Sequence, residues 1–98
     1  MKVKFGEVEV DLGAAMPITV GDLHALKQDG APQSELMKNP MEIDIMRKFF
    51  LHMAHKVNRS VTEKDIDALP AKEMTGVLLY LVLGKEPGEE AGAADRPT

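Results

Sequence analysis

Residues Lys2 to Leu12 alternate charged and apolar positions: Val3 and Phe5 sit among lysines, and Val8, Val10 and Leu12 among acids. A period of two is the pattern of half-buried strands. The apolar phase switches from odd to even across Gly6-Glu7, which predicts a β-hairpin with a turn or bulge at Gly6. A lone hairpin is marginal in water, so its apolar face must pack on something else.

The pattern then changes to helical spacing. After a connection over Gly13–Ile18, Thr19 stands as an N-cap whose hydroxyl can accept from the amide of Asp22. The first helix is predicted over Val20 to Gln28, burying Leu23 and Leu26 and stopping at Gly30. Ala31 to Asn39 reads as a polar loop. Asn39-Pro40-Met41-Glu42 predicts the next boundary, with Asn39 capping, Pro40 at the first helical position and Glu42 reaching back. From there to Val57, Ile43, Met46, Phe49, Phe50, Met53 and Val57 share one stripe at 100° per residue. Thr62 caps a short helix carrying Ile66 and Leu69. Pro70 interrupts it, and a last helix runs from Lys72 to Leu83 with Gly84 as its stop.

The expected fold class is α+β: an N-terminal β-hairpin packed on a small bundle of three to four helices. Residues 1–84 form the single domain in this reading. Residues 85–98 hold four acids, two bases and no large apolar side chain. Such a stretch cannot offset its ordering entropy by burial, so a disordered acidic tail is expected.

Composition narrows the function classes. Ninety-eight residues suit one domain. Twelve basic against sixteen acidic side chains leave a net charge of −4, which argues against coating nucleic acid. No cysteine is present, excluding a disulfide framework, a thiolate metal site and a thiol nucleophile. The longest apolar run, Val77 to Leu83, is far shorter than the roughly 20 residues that span a bilayer. No membrane partner is expected, and Met1 to Val10 lacks the apolar core of a signal peptide.

Candidate chemistry is sparse. His52 and His55 are three apart on one helix, and His24 offers a third imidazole. Both helix histidines lie beside Lys48 and Lys56, which repel a cation, and no acid stands four positions from either. Asp65 and Asp67 point to opposite sides of a helix, so they do not make an acid–base pair. No phosphate loop, nucleophile elbow or HExxH occurs. The expectation is no enzyme, no cofactor and no metal. Arg47, Lys48, His52, His55, Lys56 and Arg59 make a basic face, read first as a solvated helix end and second as a dock for an acidic segment.

What exceeds the needs of a small core is apolar surface. In the last helix Met74, Val77, Leu78, Leu81 and Val82 form the expected core stripe, leaving Leu79, Tyr80 and Leu83 on the other side. A helix apolar all round is either central or an interface. With Leu51, which lies among polar neighbours, these residues form the candidate partner-binding set: Leu51, Leu79, Tyr80 and Leu83. Seven methionines add adaptable apolar surface. Self-association into a homo-oligomer is the alternative use of the same face.

The runs Met16-Pro17-Ile18-Thr19-Val20-Gly21-Asp22-Leu23 and Val61-Thr62-Glu63-Lys64-Asp65-Ile66-Asp67-Ala68-Leu69 resemble segments of the tail assembly chaperones of long-tailed bacteriophages. The resemblance spans Met16 to Leu83. It implies a non-enzymatic protein of the host cytoplasm that binds the tape measure protein, keeps it soluble and helps recruit tail-tube protein during virion assembly. It also implies a second, longer product made by ribosomal slippage, for which Leu83-Gly84-Lys85 is a compatible site. The alternative is a small virion structural protein, a head–tail connector or tail-completion protein. A helix-turn-helix regulator over Thr62 to Leu83 fits less well, because its second helix lacks outward Arg, Lys, Asn or Gln to read bases.

Overall fold

The computed structural model describes residues 1–39 and 42–84. Two strands open the chain, β1 (Lys2–Phe5) and β2 (Val8–Asp11), paired antiparallel with Val3 opposite Val10 and Phe5 opposite Val8. Gly6 has φ +65° and, among the described residues, no non-glycine residue has positive φ, so the two-residue loop is of the II′ kind, with glycine first. Val3, Phe5 and Val10 are buried, while the lysines of β1 and the acids of β2 face outward.

A 3₁₀ turn, Leu12–Ala15, leads into α1 (Val20–Gln28). Helix α2 (Gln33–Lys38), α3 (Ile43–His55), α4 (Glu63–Asp67) and α5 (Ala71–Leu83) follow. The class is α+β, with five α-helices among the described residues rather than three or four. The extra one is α2, where a polar loop was expected. Pro32 sits at its N-cap with φ already near −66°, and its carbonyl accepts from Glu35 and Leu36. Gln, Glu, Leu, Met and Lys then continue it as ordinary helix formers.

That helix also moves the next boundary. Asn39 closes α2, its amide donating to the Glu35 carbonyl, instead of capping α3. Glu42 caps α3, its carboxylate accepting from the Ile45 amide at 3.0 Å. The expected first position at Pro40 lies outside the described residues. Met46, Phe49, Phe50 and Met53 are buried as the stripe requires, joined by Ile45 and Ala54. Ile43 and Val57, at the two ends, are exposed.

Helix α3 is the element around which the 3₁₀ turn, α1, α2 and α4 pack, and β1 lies on α4. One connected core joins Phe5 and Leu12 from the N-terminal segment, Leu26, Phe49 and Met53 from the middle, and Val77 and Leu81 from α5. Gly84 ends α5 with φ +75°, its amide donating to the Tyr80 carbonyl at 2.7 Å. The tail expected over 85–98 lies outside the described residues. No helix among the described residues is long and apolar enough to cross a membrane.

Candidate functional site: an apolar groove between α2 and α5

Two i, i+3, i+4 stripes face each other. On α5 the stripe is Leu79, Val82 and Leu83; on α2 it is Gln33, Leu36 and Met37. Ile18 and Leu23 close one side, and Phe49 and Leu78 form the floor. The open space is about 450 Å³, inside the usual range for a binding cleft, about 300–1,000 Å³. Its lip is apolar and wet: Met37 is 75 % exposed, Val82 55 % and Leu83 54 %. Phe49 and Leu78 beneath are buried. Three of the six exposed large apolar side chains among the described residues therefore border one groove.

The candidate residues do not all meet there. Leu79 and Leu83 line the groove. Tyr80 does not: it is buried, and its hydroxyl accepts from the Met1 amine at 3.3 Å. Val82, assigned to the core stripe, stands outside instead. The buried arc of α5 is Val77, Leu78, Tyr80 and Leu81, turned roughly 50° from the expected one. The reason is the N-terminus, which offers Tyr80 a polar partner that no local pattern reveals. Leu51 is half-buried on another side of α3, in a small hollow with Lys48, Glu63 and Ile66 that shares no residue with the groove.

A second apolar hollow of about 240 Å³ lies between the starts of α3 and α5, lined by Met46, Phe50, Leu69 and Met74 among others. Of the residues lining it only Ile43 belongs to the exposed large apolar set. Arg47 spans its edge, donating to both oxygens of Asp67 at 2.6 and 3.1 Å, with Glu63 at 3.5 Å and Asp44 at 3.8 Å. The hydrogen bonds and field of Asp67, with Glu63 and Asp44 adding to it, raise the guanidinium pKa.

Most of the basic face is answered from inside the fold. Asp22 is buried and accepts from Lys56 Nζ at 2.7 Å, from the Thr19 amide at 2.8 Å and from His52 Nε2 at 2.9 Å. Burial alone would push this carboxyl up; the hydrogen bonds from Lys56, His52 and Thr19 outweigh that and hold it well below the usual carboxylate range. His55 Nε2 lies 2.6 Å from the Val61 carbonyl. Asp65 forms a capping box with Thr62 and Asp67 holds Arg47, so the two acids serve different partners. The acid missing within the α3 helix thus comes from α1. Among the described residues, no three histidine, aspartate or glutamate side chains converge as a metal site. With Arg47, His52 and Lys56 already paired, the groove is the stronger candidate for binding.

Comparison with protein-family models, characterised proteins and solved structures finds no significant match to this chain.

Proposed function

We propose that this chain is a non-enzymatic tail assembly chaperone of a long-tailed bacteriophage. It holds an apolar segment of the tape measure protein in the α2–α5 groove and helps bring tail-tube protein to it in the host cytoplasm. The observation that carries the reading is the groove: a buried floor of Phe49 and Leu78 under a solvent-facing lip of Met37, Val82 and Leu83. Facing helical stripes that are apolar but for Gln33, with Met37, Val82 and Leu83 exposed to water, suit an amphipathic helix laid between them. The thioether of Met37 suits a client whose sequence is matched imperfectly. The resemblance over Met16 to Leu83 supplies the class of client, and the groove supplies the means.

The test is coexpression of the full chain with the tape measure protein of the same genome. The wild-type chain should keep that protein in the soluble fraction and co-purify with it. Met37→Gln combined with Leu83→Gln should fold, by circular dichroism, and lose both effects. Retention of the client by the folded double variant overturns the reading. A portal or terminator gene beside this one, with no binding to tape measure protein, favours the head–tail connector instead.

A further inference from the structure

The hollow between the starts of α3 and α5 is a second concave surface, and it shares no lining residue with the groove. Met46, Phe50 and Met74 line it, and Ile43 stands exposed at its lip. Its size decides what it can take. A volume of about 240 Å³ falls short of the roughly 300 Å³ at which ligand clefts begin, and exceeds the roughly 150 Å³ that encloses a benzene ring. That is space for one large side chain and not for a helix. Two thioethers beside a phenyl ring favour an aromatic one, through sulfur–ring and ring–ring contacts.

The edge of the hollow is unbalanced in charge. Asp67, Glu63 and Asp44 lie 2.6, 3.5 and 3.8 Å from the guanidinium of Arg47, and among the described residues no other cation pairs with them. Asp67 accepts both short hydrogen bonds of that guanidinium. The side chains of Asp44 and Glu63 stay 72 % exposed. Partial positive charge at the starts of α3 and α5, about half a unit each, offsets only part of the surplus. A cation beside the hollow is therefore attracted. A second copy of this chain does not supply the aromatic side chain. Its three phenylalanines and single tyrosine, Phe5, Phe49, Phe50 and Tyr80, are all buried in its own core.

We infer that this hollow is a second docking site, which takes an aromatic side chain of a different protein with a lysine or arginine next to it in sequence. The ring enters among Met46, Phe50 and Met74, and the cation meets Asp44 and Glu63. The buried ring supplies most of the affinity, and the acids at the rim choose among aromatic segments. Because hollow and groove have no residue in common, one chain can hold a partner at each. The inference goes beyond the groove reading and does not depend on it.

The experiment uses the full chain and short labelled peptides. One places phenylalanine between lysines, one places it between glutamates, and one places alanine between lysines. Fluorescence anisotropy gives each affinity at about 50 and 500 mM salt. At low salt the lysine-flanked phenylalanine should bind about tenfold more tightly than the glutamate-flanked one, and the gap should narrow at high salt. It should also exceed the alanine peptide by about tenfold or more at either salt. Asp44→Asn with Glu63→Gln should remove most of the preference for lysine. Ala71→Leu, which changes no charge and fills the hollow from the first turn of α5, should weaken both phenylalanine peptides while circular dichroism stays unchanged. Met37→Gln with Leu83→Gln, in the groove, should leave all three affinities as they were. Equal binding of the alanine peptide, or of the glutamate-flanked one, overturns the inference, as does no binding by any of the three. Binding lost in the Met37/Leu83 variant but kept in Ala71→Leu puts the ring in the groove and overturns it too, while leaving the groove reading standing. A chain that elutes as a dimer, and is dispersed by Ala71→Leu, makes a second copy the occupant and likewise overturns it.

Discussion

Asp22 Oδ1 lies 2.9 Å from His52 Nε2, joining α1 to α3 across thirty residues of chain. The other oxygen of the same carboxylate takes Lys56 Nζ at 2.7 Å, one helical turn further along α3. Asp22 also closes the capping box with Thr19. One acid therefore both starts a helix and fastens it to the core, and that helix supplies Leu23 to the groove.

Asp22→Ala removes the cap partner and leaves Lys56 Nζ and His52 Nε2 facing a partly buried gap. A loss of about 2–3 kcal/mol is expected. Urea unfolding at neutral pH measures it. A loss under 0.5 kcal/mol, about the effect of an ordinary surface substitution, would mean that the triad is not a fastener.

The same carboxylate gives a pH dependence whose direction is fixed. Its folded pKa is depressed, so its stabilisation is complete above the unfolded value, about 3.9, and drains away as pH falls through and below it. The stability gap between wild type and Asp22→Ala should shrink steadily as pH falls below about 4 and the carboxylate protonates. A gap that stays unchanged from about pH 4 down to about pH 2 contradicts the assignment.

Gly6 is required by backbone and not by space. An added Cβ would meet Asp65 Oδ1 at 3.4 Å and Ala68 Cβ at 3.5 Å, ordinary contacts, but φ +65° is unfavourable for an L side chain. Gly6→Ala should cost about 1–2 kcal/mol in thermal or urea unfolding, with Glu7→Ala, its neighbour in the turn, near neutral. Equal effects at the two positions would refute the turn assignment.

Arg47 should matter for salt response more than for stability. Its partners Asp44, Glu63 and Asp67 are all well exposed. Arg47→Lys loses the two-pronged contact with Asp67. Its small destabilisation should fade between about 50 mM and 1 M salt. A difference that persists at high salt would point to packing over the hollow between the starts of α3 and α5 instead.

Sequence and structure agree wherever the signal is local. The Gly6 turn, the Thr19 and Thr62 caps and the Gly84 stop each depend on residues within a few positions. So does the Met46–Phe49–Phe50–Met53 stripe, whose spacing alone identifies the buried side. The departures all come from elements meeting. Tyr80 turns inward because the Met1 amine reaches it, 79 positions away in sequence. His52 finds its acid on α1, where a search within α3 could not look. Helix α2 buries no side chain fully, so its apolar pair, Leu36 and Met37, gave little periodic signal. The groove inherits that difficulty. Leu79 and Leu83 were legible as surplus surface, but their partner wall on α2 appears only once that segment is helical.

The proposed client role of the groove is tested most directly by following methyl signals of the full chain during titration with a tape measure protein segment of the same genome. Met37, Leu79, Val82 and Leu83 should shift or broaden together at one equivalent, with Ile18 and Leu23 following. Ile43 and Met74, which line the separate hollow by Arg47, should stay in place. Shifts confined to Ile43 and Met74, with the Met37 and Leu83 methyls unmoved in a saturated complex, would contradict the account.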